Sequence, residues 1–92
     1  MPIHFEWDPR KAALNMRKHG VSFEEARTVF FDEYAKVIDD PDHSESEDRF
    51  ILLGVSSALR LLMVCHCYRQ GDGVIRIISA RKASPRESKQ YR

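Results

Sequence analysis

The sequence predicts an α+β fold with two N-terminal helices, a mostly antiparallel sheet of about four strands, and a C-terminal helix. Three observations carry that expectation. Cap and stop residues bracket two consecutive helical stretches between Trp7 and Phe31. The apolar period switches from helical to alternating beyond Phe31. Ser84-Pro85-Arg86-Glu87 then spells another helix start. Ninety-two residues, 42% of them apolar, suit a single domain over 1–92 with one core.

His4-Phe5-Glu6-Trp7 reads as a short edge strand. Asp8 caps the first helix and Pro9 fits its first position, where the missing N–H costs nothing. Gly20 ends that helix behind Lys18 and His19, two cations placed at the negative end of its dipole. Ser22 and Glu25 form a reciprocal capping box for a second helix running to about Phe31, with Val21 and Ala26 as a weak hydrophobic staple. Lys36 to Asp39 begins the strand region, and the polar run from Asp39 to Asp48 is a surface loop. Phe50 to Val55 and Arg60 to Tyr68 are strands, the second apolar on both faces and therefore central. Gln70-Gly71-Asp72-Gly73 turns the chain into a strand from Val74 to Arg81, giving three adjacent antiparallel strands. From Ser84 a terminal helix is expected to run to the end. Trp7 is expected to pack under the first helix, and Tyr68 and His66 in the core.

A net charge of +1 conceals an asymmetry. Residues 1–30 carry five Lys or Arg against four acids, residues 31–50 two against eight, and residues 51–92 eight against two. The basic residues of the last segment, Arg60, Arg69, Arg76 and Arg81 among them, can concentrate positive potential if folding brings them to one side. The chain has no phosphate-binding glycine loop and no HExxH pair. In Cys65-His66-Cys67, strand alternation sends the imidazole away from both thiols, so no metal site is expected there. The same alternation puts both thiols on one face with too little chain between them for an ordinary disulfide. No signal-peptide apolar region opens the chain and no run approaches the ~18 apolar residues of a membrane helix, so the expected location is cytoplasmic.

The residues also carry a resemblance. Glu6-Trp7-Asp8, Lys11, NMRKHGVSFEEA from Asn15 to Ala26, Phe31-Asp32, Arg49 five residues before Gly54, and IISARKA from Ile77 to Ala83 followed by Glu87 and Tyr91 together resemble the BrnT family. These are toxins of bacterial type II toxin–antitoxin pairs with a RelE-like ribonuclease fold. The resemblance spans nearly the whole chain. It implies RNA cleavage that blocks translation, without a metal or other cofactor. It also implies neutralisation by a BrnA-like ribbon-helix-helix antitoxin, in a hetero-oligomeric complex that reaches operator DNA through the antitoxin.

Metal-free RNA cleavage needs a base for the 2′-OH proton, cations around the crowded phosphorane and an acid for the leaving oxygen. Arginine matches phosphate through its planar fork. Arg49, Arg69 and Arg81 stand at strand ends that folding can bring together, and the resemblance strengthens Arg69 and Arg81. It also favours Lys18 as phosphate contact or proton donor, with His19 packing at the turn or acting as base. Arg76 can add to RNA binding. Glu87 has a capping role that accounts for it without catalysis, and it is also a minor candidate for the base, since ribonuclease bases can be glutamates. Tyr91 can stack on a base. The competing reading is a non-catalytic protein-binding module with a basic surface, because Arg and Lys bind as readily as they catalyse.

Overall fold

Cap chemistry builds the first two helices. In the computed structural model, which describes residues 3–38, 49–69, 71 and 73–91, the Asp8 carboxylate accepts the Arg10 N–H at 2.8 Å and starts helix α1 (Pro9–His19). Gly20 stops it in the left-handed region at φ +70°, donating its N–H to the Met16 carbonyl at 2.8 Å. At the head of α2 (Phe23–Thr28), Ser22 Oγ accepts the Glu25 N–H at 3.0 Å. The reciprocal half of that capping box is not made. The Glu25 carboxylate turns instead to Arg60 and to the Ser56 hydroxyl, which donates to it at 2.6 Å. The helix expected to reach Phe31 ends at Thr28 and tightens into a 3-10 turn over Val29–Phe31. The run Thr28-Val29-Phe30-Phe31 is β-branched and aromatic, which weakens α-helix, and the turn buries Val29 completely.

The sheet corrects the expectation of about four mostly antiparallel strands. It is mixed and has five: β1 (His4–Glu6), β2 (Lys36–Ile38), β3 (Phe50–Val55), β4 (Leu61–Arg69) and β5 (Val74–Lys82), in the order β1-β5-β4-β3-β2. Neighbours from β2 to β5 pair antiparallel, with β4 central. β1 runs parallel to β5, Phe5 opposite Ile75, and therefore precedes both N-terminal helices. A parallel pair needs a long crossover, which everything between residues 7 and 73 supplies. Three-residue strands such as β1 and β2 are too short to write a readable alternation.

Cys65 opposes Ser79 while His66 opposes Ile77, so Ile78 is an extra residue bulging from β5. Cross-strand partners share a face. Met63, Cys65 and Cys67 therefore lie on the face of Arg81, Ser79 and Arg76, and Val64, His66 and Tyr68 on that of Ala80, Ile77 and Ile75. The helices cover the second face. Val21, Phe23, Ala26 and Val29 pack there on Leu52, Leu62, Val64, Ile77 and Ala80. Trp7 lies edge-on to Phe23 of α2 at 5.9 Å, so the second helix is its ring partner. His66 is fully buried against Phe30, with ring centroids 4.8 Å apart, and burial lowers its pKa so that the imidazole stays neutral. Tyr68, expected in the core, is 41% exposed because the helices stop short of its end of the sheet.

A Cβ at Gly54 would stand 2.8 Å from Val29 Cγ1 and 2.9 Å from the Ala35 Cβ, so the 3-10 turn rests on bare backbone there. β3 and β4 are joined by a tight connection in which Ser56 N–H meets the Arg60 carbonyl at 2.8 Å and Leu59 takes φ +61°. The C-terminal segment begins with a complete capping box between Ser84 and Glu87. Its helix α3 (Pro85–Ser88) is only one turn long and passes into a 3-10 turn over Lys89–Tyr91, so the long terminal helix is not formed. The polar run 39–48, Gln70 and Asp72 of the hairpin turn, and Arg92 lie outside the described residues. Among those that are described, no helix is long and apolar enough to cross a membrane.

Candidate active site between helix α1 and strand β5

α1 is anchored to the sheet by one buried side chain. Asn15 Nδ2 donates to the Ala80 carbonyl at 2.8 Å and to the Val21 carbonyl at 2.9 Å, and Asn15 Oδ1 accepts the Ala80 N–H at 3.0 Å. β1 pairs with β5 only as far as Arg76, so beyond it the outer edge of β5 has no strand neighbour. The amide of Asn15 stands in for one by pairing both backbone groups of Ala80. Both of its N–H donors and one lone pair of its oxygen are used on backbone groups, at 6% exposure.

This anchoring opens a cleft of about 530 Å³ between α1 and β5. Lys11, Leu14, Asn15 and Lys18 repeat at helical spacing along one wall, with Arg17 and His19 beside them. The opposite wall is Ser79 and the bulged Ile78. Four of the eight lining residues are basic and none is acidic. Arg17, Lys18 and His19 also occupy the last turn of α1, where the helix dipole favours cations. Of these, the sequence singles out Lys18 and His19 as candidates; Lys11, Arg17 and Ser79 stand in it only within the stretches that carry the resemblance, although the i, i+3, i+4, i+7 spacing from Lys11 to Lys18 was an available signal.

Arg81 follows Ser79 by two residues on the same face of β5 and is not among the residues that line the cleft. Its guanidinium is held by a fork from Glu87: Nη1 donates to Oε1 and Nη2 to Oε2, both at 2.8 Å. Ser84 N–H adds a bond of 2.9 Å to the same carboxylate. The Arg81 hydrogen bonds are the main cause holding the Glu87 carboxyl down at about 2, and Glu87 in turn raises the Arg81 pKa. Glu87 thus positions Arg81 and caps α3.

The other predicted arginines are elsewhere. Arg69 and Arg76 converge on Glu6, at 3.4 Å and 2.9 Å. Register puts Arg81 beside Met63, six residues along β4 from Arg69 or about 20 Å, so one phosphate does not collect both. Arg49 precedes β3 at the Arg69 end. Arg60, counted toward a positive patch, is bound to the Glu25 carboxylate and donates to the Gly20 carbonyl at 3.0 Å. Tyr91 donates its hydroxyl to Asp32 Oδ2 at 2.5 Å, and this bond is the main cause raising the phenol to about 12. That tie, rather than an open ring, is the role of Tyr91 in the fold.

The family description decides the reading of this geometry. A family model described as "Ribonuclease toxin, BrnT, of type II toxin-antitoxin system" matches residues 7–87. The chain belongs to the BrnT family. It is similar to the 1.1 Å crystal structure of the Brucella abortus ribonuclease toxin BrnT, with a TM-score of 0.68 and 26% identity. That match covers 89% of this chain and 97% of the Brucella one. No curated protein sequence matches. The family match runs from α1 through β5 into α3 and so includes both walls of the cleft.

One consequence of the Arg81–Glu87 fork is acid sensitivity. A carboxylate with a depressed pKa contributes stability above its unfolded value, here near 4.5, and loses it as pH falls toward about 2. Thermal melts between pH 5 and pH 2.5 should fall less steeply for Glu87→Gln than for wild type. Parallel slopes would mean that the fork does not couple to folding.

Proposed function

We propose that the domain spanning 1–92 is a metal-independent endoribonuclease toxin whose active site is the α1–β5 cleft. The observation that carries this is the cleft lining, with Lys11, Arg17, Lys18 and His19 facing Ser79 and no carboxylate among them. Such a lining attracts a phosphodiester and repels neither of its oxygens. In this reading the His19 imidazole takes the 2′-OH proton and the 2′-oxygen attacks the adjacent phosphorus. The bond from phosphorus to the 5′-oxygen breaks, and the Lys18 ammonium gives that oxygen a proton. The products are a 2′,3′-cyclic phosphate and a 5′-hydroxyl. Arg17 and Arg81 stabilise the dianionic phosphorane, each by a few kcal/mol, on the order of an oxyanion-hole donor. Arg69, Arg76 and Arg49 lie farther along the sheet and serve the rest of the RNA strand. RNA loss then blocks translation. A BrnA-like ribbon-helix-helix antitoxin neutralises the toxin in the cytoplasm and supplies operator DNA binding to their complex.

The test is induced expression of wild type and Arg81→Ala in a host without the antitoxin, following growth and total RNA integrity in EDTA-quenched samples. Arrest with RNA loss in wild type alone is the expected result. Equal toxicity of Arg81→Ala would remove Arg81 from the site. Normal growth with soluble wild-type protein would favour the non-catalytic binding module, a reading to which the pairing of Arg60, Arg76 and Arg81 with acids lends some weight.

A further inference from the structure

The α1–β5 cleft holds two apolar side chains for which the catalytic steps have no use. Leu14 stands midway along the α1 wall, 58% exposed and outside the buried core cluster. Ile78 lines the opposite wall as the extra residue of the β5 bulge, a device that re-aims a side chain beside a functional site. Leu14 shares its stripe of α1 with Lys11 one turn before it and Lys18 one turn after, each about 5–6 Å away between Cβ atoms. Neither lysine, nor Arg17, makes an ion pair among the described residues, whereas Arg60, Arg69, Arg76 and Arg81 all do.

Apolar surface on both walls, with a cation on either side of it along α1, suits a flat uncharged group carried on an anionic chain. In a ribonuclease substrate that group is a nucleobase, whose faces pack on apolar as well as aromatic side chains. Contact area favours a purine over a pyrimidine. Edge chemistry narrows the choice further. Lys11, Arg17 and Lys18 can only donate hydrogen bonds, and Ser79 adds one hydroxyl. Donors match the O6 and N7 acceptors of guanine, whereas the amino groups of adenine and cytosine would meet like donors. Uracil offers acceptors with less surface. We propose that Leu14 and Ile78 form a slot for a guanine base beside the scissile phosphate, with the Lys11 ammonium on its O6 and N7 edge. Lys11 takes that part because Arg17 and Lys18 sit with His19 in the last turn of α1, the end at which the catalytic reading holds the phosphate. The slot rests on the reading of this cleft as the RNA site and adds the base that it selects.

The experiment measures binding of short 2′-O-methyl RNAs, which lack the attacking hydroxyl, at one fixed salt concentration. The strands are cytidine throughout except for one position filled by G, A, U or C, and they are titrated into wild type, Leu14→Ala and Lys11→Met. Wild type should bind the G strand about tenfold tighter than the other three. Lys11→Met should bring G level with A, and Leu14→Ala should bring the purines toward the pyrimidines. Both side chains are exposed, so the melts of both variants should stay near wild type. Cleavage of the matching unmodified RNAs should follow the same order of bases. Equal affinity of wild type for all four strands would overturn the slot, as would a G preference that survives both substitutions. So would a Leu14→Ala protein that binds its purified antitoxin more weakly while keeping every base preference, since the apolar strip would then dock protein. Cleavage with no base preference removes the slot and leaves the catalytic reading standing. A G preference that Lys11→Met abolishes, in a protein that cleaves nothing, removes the catalytic reading and keeps the slot.

Discussion

Asn15→Leu should cost more stability than any other single substitution in α1. The change leaves the Ala80 N–H, the Ala80 carbonyl and the Val21 carbonyl without the partner they now share. At about 1–3 kcal/mol for each of these buried groups left unpaired, the loss is about 3–9 kcal/mol, against about 5–15 kcal/mol for a typical domain. Leucine keeps the branched heavy-atom skeleton of asparagine, so the substitution opens no cavity. Urea unfolding followed by circular dichroism measures it directly. A loss below about 1 kcal/mol would show that α1 stays on β5 without the amide. Because the same amide spaces α1 from Ile78 and Ser79, any Asn15→Leu protein that remains folded should also bind RNA poorly.

Lys18→Ala should separate chemistry from folding. Lys18 lines the cleft and also sits in the last turn of α1. A cation that serves only the helix dipole is worth about 0.3–1 kcal/mol, a shift of a few degrees in thermal midpoint. A cation that stabilises the phosphorane and protonates the leaving oxygen is worth about 10²–10³ in rate. Cleavage of a defined RNA under single-turnover conditions should therefore fall by about 100-fold with the melt nearly unchanged. Unchanged cleavage with a lowered melt would make Lys18 a helix cap and nothing more.

What could be read from the chain was local. Asp8, Gly20, Ser22 and Ser84 act on the backbone groups nearest to them, and each does what its neighbours imply. β3, β4 and β5 run over six to nine apolar-rich residues bounded by turn signals and were legible for that reason. The parallel pairing of β1 was not, since Phe5 and Ile75 are joined across the whole chain by three residues of strand. Nor was the use of Asn15, whose partner at Ala80 is equally remote. The candidate site was half legible: Lys18 and His19 carry the local mark of a helix C-terminus. The arginines do not, because whether a guanidinium is available depends on which distant carboxylate it finds. Arg81 found Glu87, Arg76 found Glu6, and Arg60 took the carboxylate expected to complete the cap of α2.

The parallel ladder and the two-walled cleft also bear on how such a protein is made. One wall comes from residues 11–19 and the other from Ile78 and Ser79. Synthesis runs from the N-terminus, so until residue 79 is added only the first wall exists. β1, with its partner strand still unwritten, has nothing to pair with. A chain cut short before residues 78 and 79 carries the cations of α1 but no facing wall. Assembly of the cleft thus waits on the strand that also completes the parallel ladder.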